Sequence, residues 1–319
     1  MSRPAADLDV VAVGSWTNFD HLFEVASLPA PGDTVQICSP VDDVERVYFG
    51  GCAPNVAVAA ARLGARSALV SVVGDDFEAR GYATHLDECG VDRRAVQVIP
   101  GERCGHSFMF RDADGYSVCI SQIGVAARQE EFAPDPAILA AASVAVITYR
   151  FDRFTLKAAE LARAGGAQVL LSGALATAPD LAAAFVGRAN MLVCTEHELA
   201  QLVSMPGLDD EHALLDAGLS AIVCTRGAGG VAWQTPKFRG QVPAVAARRV
   251  LDSTGAGDGF VAGLAVGLAQ GQTLPEAIRL GASVASFVVE AVGCQTNLPS
   301  LPAAQARLAT MQRQVRAQA

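Results

Sequence analysis

The sequence has no run of basic residues. It contains 24 lysines and arginines against 33 aspartates and glutamates, and its longest basic clusters are the pairs Arg93-Arg94 and Arg248-Arg249. Because a nucleic-acid surface needs a concentrated basic face, this distribution argues against a nucleic-acid partner. It leaves phosphorylated small molecules open, because a few local backbone donors are enough to bind an anion.

Long apolar runs are also missing. A membrane span needs about 18 consecutive apolar residues, whereas the largely apolar stretch 284–292 is short and contains Glu290. Residues 1–9 carry Arg3, Asp7 and Asp9 with no apolar h-region of a signal peptide directly after them, which predicts no secretory leader. We therefore expect a cytoplasmic protein with no membrane partner.

Paired cysteine motifs are absent as well. The eight cysteines are scattered, none forms a Cys-x-x-Cys pair, and none stands near a histidine at zinc spacing. This favours small buried thiols in a reducing compartment over a disulfide framework or a zinc site. Hydrophobic residues make up 51% of the chain and charged residues 18%, which excludes intrinsic disorder.

What the sequence does have is an alternation of short apolar segments with helical patterns. Apolar segments that end near glycine or polar residues predict strands, and alanine-rich or amphipathic segments between them predict helices. Such alternation is typical of a parallel sheet covered by helices on both faces. The predicted strands are 10–13, 68–73, 144–147, 168–171, 191–194 and 221–224, and the predicted helices include 55–63, 78–89, 156–164 and 260–269.

Two segments interrupt this alternation. Residues 18–50 contain three prolines and an alternating piece at 34–37, and residues 104–123 have two alternating runs around an Asp-Gly turn at Asp114-Gly115. We interpret both as antiparallel strands of a small subsidiary sheet. Ordinary edge hairpins on the main sheet remain the alternative.

The most informative stretch is Asp-Ser-Thr-Gly-Ala-Gly-Asp-Gly-Phe at residues 252–260, which precedes an apolar helix. Gly255, Ala256 and Gly257 have little or no side chain, so their backbone N–H groups can converge on an anion at the helix N-terminus. Asp258 in the same turn would be repelled by a bound phosphate unless it has a chemical task. A base that takes a proton from an attacking hydroxyl belongs at this place.

This stretch resembles the C-terminal signature of the ribokinase-like, or PfkB, family of carbohydrate and nucleoside kinases. Residues 50–55 (Gly-Gly-Cys-Ala-Pro-Asn), with Gly74-Asp75-Asp76, are similar to the family's N-terminal signature. Gly14-Ser15 and residues 18–21 resemble its first-strand motif, with one residue more before Asp20 than the pattern has. The resemblance covers nearly the whole chain and implies a three-layer α/β/α sandwich with a mostly parallel central sheet and a small β-sheet lid.

The resemblance also implies roles for individual residues. Asp258 falls on the catalytic base, and Gly255, Ala256 and Gly257 fall on the anion hole. The predicted substrate-binding residues are Asn18, Asp20, Gly50, Gly51 and Asn55. For Asn55, helix capping is the alternative interpretation.

For the nucleotide, the resemblance points to two further motifs. Thr195 and Glu198 match the family's Asn-x-x-Glu motif, with threonine where asparagine is usual, and Glu198 is expected to bind Mg²⁺ through water. The nucleotide loop is matched by Thr225, Gly227 and Gly230. ATP and Mg²⁺ are therefore the expected cofactors.

Two more residues have open interpretations. Asp252, with the carbonyls of residues 292–294, matches a K⁺ site found in some members, and a turn-capping aspartate is the alternative. Arg150 ends a predicted strand at the carboxyl edge of the sheet, where α/β folds bind ligands. It would meet an anionic group of the substrate, or it is a solvated loop arginine.

We therefore expect one kinase domain over residues 1–319, with a lid formed by about 16–49 and 104–123. The predicted function is an ATP-dependent kinase acting on a hydroxyl of a sugar or sugar-like molecule. A nucleoside kinase is the alternative, because residues 292–296 and 41–43 resemble bacterial adenosine kinase-like members. Base-stacking aromatics would favour it, and Phe23, Phe49, Phe108 and Phe110 are candidates. A catalytically inactive sugar-binding protein is a third hypothesis, and family lids suggest a homodimer.

Overall fold

The computed structural model describes residues 7–38, 46–114 and 117–318, with side chains through residue 311. Within these ranges no helix is both long and apolar enough to cross a membrane. The strands of the described chain are β1 (Leu8–Val13), β2 (Asn18–Glu24), β3 (Val47–Gly50), β4 (Ser67–Gly74), β5 (Val91–Ile99), β6 (Gly105–Arg111), β7 (Ser117–Gln122), β8 (Ala142–Thr148), β9 (Gln168–Ser172), β10 (Met191–Thr195), β11 (Ala221–Thr225), β12 (Val231–Gln234) and β13 (Arg239–Val242).

Helices occupy most of the connections between these strands. Their bounds are Cys52–Arg62, Asp76–Ala79, Tyr82–Glu88, Pro136–Ala140, Arg153–Ala164, Pro179–Val186, Glu196–Leu202, Glu211–Asp216, Ala256–Ala269, Leu274–Val288 and Leu301–Gln318, with short 3₁₀ turns at Gly124–Glu131, Leu175–Thr177 and Gly227–Gly229.

The larger sheet has nine strands in the order β13-β12-β11-β10-β9-β8-β1-β4-β5. The seven strands β11, β10, β9, β8, β1, β4 and β5 run parallel to one another. Strands β12 and β13 close one edge of the sheet as an antiparallel hairpin. Two hydrophobic clusters cover the two faces, and alternate residues of β1 join each cluster. The predicted three-layer α/β/α architecture is therefore confirmed.

Glycine lets the two long apolar helices pack closely. Ala256–Ala269 and Leu274–Val288 approach so tightly that a Cβ at Gly263 would lie 2.7 Å from the Cα of Gly281. A Cβ at Gly281 would lie 2.5 Å from the carbonyl oxygen of Phe260. This packing fixes the helix whose first turn carries Asp258.

The smaller sheet has four strands in the order β3-β2-β6-β7. The β2–β3 and β6–β7 pairs are antiparallel as predicted, but β2 and β6 pair in parallel, which corrects the all-antiparallel expectation. Residues 34–37 form no strand, and only a single bridge joins Ile37 to Val25. The Asp-Gly turn is only partly observed, because Gly115 lies outside the described residues.

Other local predictions need correction. The helix predicted over 78–89 is two short helices, because Gly81 adopts a left-handed φ of 81° between them. Strand β5 and the β12–β13 hairpin were not predicted. Polar residues such as Asp92 and Arg94 interrupt the apolar pattern of β5 because this strand forms an edge of the sheet.

Replacing Gly263 by valine is expected to destabilise the fold. The new side chain would collide with the backbone of the neighbouring helix, and we expect a loss of about 2 kcal/mol in the free energy of unfolding. Chemical denaturation followed by circular dichroism measures it. Gly187→Ala is the control, because a Cβ there meets nothing closer than 3.5 Å. Equal stabilities for the two variants would contradict the packing argument.

Candidate active site

The helix Ala256–Ala269 begins at an exposed turn of bare backbone. Gly255 precedes it with a left-handed φ of 77°, and a Cβ there would lie 2.7 Å from the Cβ of Cys294. A Cβ at Gly257 would meet no atom within 4 Å, so this position faces open space. The Ala256 N–H donates to the Ser253 carbonyl at 3.2 Å, and the positive end of the helix dipole opens outward at Gly257, where an anion can reach it.

Asp258, in the first turn of this helix, borders a cleft of about 240 Å³. The side chain is half-buried, so it is accessible to a small molecule and yet largely removed from bulk water. The cleft is lined by Cys52, Tyr149, Ser172, Gly173, Val193, Cys194, Thr195, Glu198, Thr225, Gly255, Gly257, Asp258, Phe260 and Val261. It therefore brings together residues of the predicted base, anion hole and nucleotide motifs.

The predicted substrate residues Asn18 and Asp20 lie on one face of the smaller sheet. Both are buried, and their side chains lie against glycines of neighbouring strands. A Cβ at Gly50 would lie 1.9 Å from Asp20 Oδ2, and one at Gly105 would lie 2.1 Å from Asn18 Oδ1. Only glycine leaves room for these polar side chains at the two positions.

The carboxylates of Asp20 and Asp258 are electrostatic neighbours. Burial, together with the charges of Asp258 and Asp252, raises the pKa of Asp20 to about 7, although hydrogen bonds from Cys294 and Ser107 lower it. Burial also raises the pKa of Asp258 to about 6, although hydrogen bonds from Asn55 and Cys52 lower it. Both carboxyl groups therefore change charge near neutral pH.

Asn55 is held at both ends by protein groups. Its Nδ2 donates to Asp258 Oδ2 at 2.8 Å, and its Oδ1 accepts from Gln295 Nε2 at 2.8 Å. The residue lies one turn inside the helix Cys52–Arg62 and does not cap it, since Gly51 is the N-cap and no side chain caps that helix. The Asn55 amide also lies within hydrogen-bonding reach of the Cys294 thiol.

Gly51 has a left-handed φ of 102°, and a Cβ there would lie 1.9 Å from the carbonyl oxygen of Trp16. The turn into the helix Cys52–Arg62 can thus pass directly beneath the chain that leads from β1 to β2. The Gly50-Gly51 pair therefore gives close backbone approach to both Asp20 and Trp16.

Thr195 and Glu198 form a capping box at the start of the helix Glu196–Leu202. Glu198 Oε2 accepts from the Thr195 amide at 2.8 Å and from its hydroxyl at 3.0 Å. Both contacts use Oε2, and Glu198 borders the cleft. Among the described residues no group of three or more acidic, histidine or cysteine side chains could hold a metal ion directly.

The nucleotide-loop residues lie at the end of the neighbouring strand. Thr225 ends β11 beside Thr195 and borders the cleft. Gly227 begins a 3₁₀ turn, and Gly230 ends it with a φ of 84°, at which a Cβ would lie 2.3 Å from the Val242 carbonyl. The loop after β11 is therefore a tight turn whose backbone is held against the edge hairpin.

Asp252 makes the contacts of a turn-capping aspartate, and Arg150 makes the contacts of a loop arginine, which are their alternative interpretations. Asp252 Oδ1 accepts from the amide and hydroxyl of Thr254, and its Oδ2 accepts from the Gly293 amide at 3.1 Å. Arg150 pairs with Asp152 at 3.1 Å and donates to the Ala127 carbonyl at 3.0 Å. The cation site at Asp252 and the anion contact of Arg150 stay predictions.

The four aromatic candidates for base stacking share the opposite face of the smaller sheet. Phe108 stacks on His21, Phe110 stacks on Phe23, and Phe49 packs near Phe19. Because neighbouring strand residues point to opposite faces, these rings are separated from Asp20 by the sheet itself. They form packing pairs on that face and cannot stack on a base held beside Asp20. Residues 41–43, which resemble adenosine kinase-like members, lie outside the described residues.

Several residues at the site were missed. Cys52 and Cys294 approach Asp258 and Asp20, and Cys294 Sγ lies 3.8 Å from Asp20 Oδ2. Tyr149 borders the cleft with a φ of 49°, a strained value for a bulky residue. A strained residue cannot be recognised from sequence, whereas Cys294 stands in the 292–296 stretch that already carried a family resemblance.

The match to known proteins covers the same features. A family model described as "pfkB family carbohydrate kinase" matches residues 10–301. The chain belongs to the pfkB family. It is therefore a kinase, a phosphotransferase whose acceptor is a hydroxyl group, and family membership implies ATP as the phosphoryl donor.

Named relatives of this kinase include nucleoside kinases and ribokinases. A nucleoside kinase of Methanothermobacter thermautotrophicus is 31% identical over 92% of this chain and 93% of its own length. A nucleoside kinase of Methanocaldococcus jannaschii is 29% identical over 89% of this chain and 91% of its own. A ribokinase of Haemophilus influenzae is 25% identical, over 89% and 93%.

Solved structures have the same fold. The crystal structure of the Methanocaldococcus jannaschii nucleoside kinase, an archaeal member of the ribokinase family, has a TM-score of 0.85 at 30% identity and covers 94% of this chain and 98% of its own. A Burkholderia thailandensis nucleoside kinase in complex with inosine has a TM-score of 0.80 at 22% identity, covering 94% and 97%. The predicted family and fold are thus confirmed.

Asp20→Asn is expected to stabilise this kinase more at pH 8 than at pH 5. Between pH about 4 and 7 the unfolded chain has lost a proton that native Asp20 still holds, so the wild type loses stability as pH rises. From pH 5 to pH 8 the stability advantage of the variant should grow by on the order of 2 kcal/mol.

Urea denaturation at the two pH values measures this difference. The control is Asp216→Asn, a change at the exposed end of the helix Glu211–Asp216. A stability difference between Asp20→Asn and wild type that stays constant with pH would show that burial of Asp20 does not carry the effect.

Proposed function

We propose that this kinase transfers the γ-phosphoryl group of ATP to a hydroxyl of a ribose unit, with Asp258 as general base. The observation that carries the proposal is the position of Asp258 in an open cleft beside the bare turn Gly255–Gly257. A base there lies next to the group that neutralises the transferring phosphoryl charge. The pKa of Asp258, raised by burial to about 6, suits a group that must accept a proton near neutral pH.

Asp20 and Asn18 are the proposed contacts for the sugar. Two buried polar atoms near β2, Asn18 Oδ1 and Trp16 Nε1, have no hydrogen-bond partner in the described residues. Buried polar atoms normally find partners, so an orphaned acceptor at the first residue of β2 and an orphaned donor two residues before it support a hydroxyl-bearing ligand at this place. Gly50 and Gly51 allow the close approach of the Asp20 side chain and the Trp16 backbone at this place.

The proposed nucleotide contacts are Thr195, Glu198, Thr225, Gly227 and Gly230, around the cleft and the loop after β11. The donor set fits Mg²⁺ carried by the nucleotide, since Glu198 can contact a metal-bound water and the described part of the chain forms no direct metal cage. Mg²⁺ would neutralise charge on the phosphates. The protein residues orient the phosphates and hold the acceptor hydroxyl beside Asp258.

We also propose that the smaller sheet acts as a lid. Its strand β6 reaches the catalytic turn, because Arg111 donates to the Leu251 carbonyl and the Thr254 hydroxyl lies 3.9 Å from Met109 Sδ. A cover over Asp20 would exclude water and limit wasteful hydrolysis of ATP. The opposite face exposes apolar residues such as Phe108 and Ile120, which supports the homodimer expected through the lid.

Within this function, a nucleoside is the second candidate acceptor beside a free sugar. Two relatives that match about nine-tenths of the chain are named nucleoside kinases, which favours a ribose that carries a base. The geometry at Asp20 suits both acceptors because both present ribose hydroxyls. With the four phenylalanines on the opposite face, a base would contact side chains that share the Asp20 face, such as Leu22 and Met109.

The test is ADP release across ribose, other pentoses, hexoses, sugar acids and nucleosides, with wild type and Asp258→Asn side by side. We expect Asp258→Asn to lower kcat by about 10²- to 10⁴-fold, because no carboxylate accepts the proton. For the wild type, kcat/KM should fall below pH about 6 as Asp258 becomes protonated.

The panel also discriminates the acceptors. Preference for nucleosides identifies a nucleoside kinase, and preference for ribose identifies a sugar kinase. Activity only with acceptors that lack ribose would overturn the proposed substrate class. An inactive sugar-binding protein would release no ADP, and its wild type and Asp258→Asn variant would bind sugar equally well.

A further inference from the structure

A chain of hydrogen bonds runs from Asp258 through two amide side chains. Asn55 donates to Asp258 at 2.8 Å, and Gln295 donates to Asn55 Oδ1 at 2.8 Å. Gln295 Nε2 also donates to the Tyr82 hydroxyl at 3.0 Å, and Gln295 Oε1 lies 2.7 Å from His85 Nε2. The chain thus connects a carboxylate in the cleft to the helix Tyr82–Glu88.

The hydroxyl of Tyr82 decides which way the Gln295 amide points. This buried hydroxyl donates its only proton to the Gly50 carbonyl at 2.8 Å, so it can only accept from Gln295. The NH₂ end of Gln295 therefore faces Tyr82 and Asn55, and its carbonyl faces His85, whose Nε2–H donates to it. A rotated Gln295 amide would place its oxygen against two acceptors.

The orientation of Gln295 then determines that of Asn55. Because Gln295 presents N–H groups, Asn55 turns its Oδ1 toward them, and its Nδ2 faces Asp258. With the opposite orientation, an amide oxygen would face the carboxylate, and neither acceptor would have a proton to share. Gln295 donates to Asn55 Oδ1, while the Asp258 carboxylate and the Cys294 thiol accept from the N–H groups of Asn55.

We propose that Gln295 is a positioning residue, which orients the Asn55 amide so that its N–H, rather than its carbonyl, faces the Asp258 carboxylate. The inference rests on the proposed role of Asp258 as the base. Gln295 belongs to the 292–296 stretch, whose residues the proposed mechanism does not otherwise use. Gln295 reaches Asp258 only through Asn55. We therefore expect Gln295 to affect the base Asp258 and not the binding of the substrate.

The surroundings make this one donor important. The ionisable groups that face Asp258 or share its cleft are Cys52, Cys294, Asp20, Glu198, Tyr149 and Cys194, with Asp252 beyond Cys294. None of them is a cation. Burial raises the pKa of Asp258 and the Asn55 N–H lowers it, so loss of that N–H should raise the pKa further.

The test compares two substitutions at Gln295. Gln295→Met removes the donor without adding charge, and Gln295→Glu replaces it with an acceptor of similar shape, which favours the opposite Asn55 orientation. We expect kcat of both variants to fall about tenfold or more. The KM for ATP and the KM for the acceptor should stay within about threefold of wild type. In the pH profile of kcat, the acid limb, where kcat falls as the base becomes protonated, should move to higher pH. The shift should be about one pH unit in Gln295→Glu and less in Gln295→Met.

Gln201→Glu is the matched control. Gln201 also pairs with a histidine, His197 Nε2 at 3.1 Å, but both are exposed. This variant should keep the wild-type kcat and acid limb. Thermal unfolding of each variant verifies the fold, and should Gln295→Glu fail to fold, Gln295→Met carries the test alone.

The possible outcomes separate the two claims. An unmoved acid limb in Gln295→Met would overturn the positioning role, even with a lower kcat, since a charge effect or a structural defect would then explain the data. Full activity of Asp258→Asn would instead overturn the proposed function. An upward shift in both Gln295 variants, with Asp258→Asn inactive, supports both claims.

Discussion

The crowding of negative charge beside one helix N-terminus is the constraint on which the rest of this structure depends. The charges of Asp252 and Asp258 both act on Asp20, and burial disfavours the ionised forms of Asp20 and Asp258. The described lining of the cleft contains no lysine or arginine that could offset them. Neutral donors must therefore hold these carboxylates: backbone amides, the Asn55 amide and thiols. A site without resident cations leaves its positive potential to the helix terminus, which suits a polyanionic phosphoryl donor that brings its own metal.

Glycine makes this crowding sterically feasible. Asp20 lies across Gly50, and Cys294 lies against Gly255, at distances that no Cβ would allow. The two halves of the site come from different layers, because β2 belongs to the smaller sheet and Asp258 to a helix on the larger sheet. Close backbone approach at these glycines lets the two layers meet without a gap that water would fill.

Much of the architecture was predictable because it depends on local patterns. Short apolar segments such as those of β1, β4 and β8 are strands in the structure, and their alternation with helices implied a parallel sheet. The proposed anion-binding turn was equally predictable, since Gly-Ala-Gly before an apolar helix indicates an anion site by backbone chemistry alone. Predictions failed where pairing is non-local: β2 and β6 run parallel, and the pattern at 34–37 has only one bridge. A strand's own residues do not specify the direction of its partner.

The sequence by itself determined the family, the fold class and the position of the proposed base, because glycine spacing and hydrophobic periodicity act within a few residues. Only the tertiary structure decided which face of the smaller sheet carries the phenylalanines, where Arg150 points, and that Gln295 reaches Asn55. Those facts depend on contacts between residues as many as 240 positions apart. Such contacts exist only once the layers have packed. A shift of one residue in the pairing of a strand would turn its side chains to the opposite face of the sheet and break these contacts.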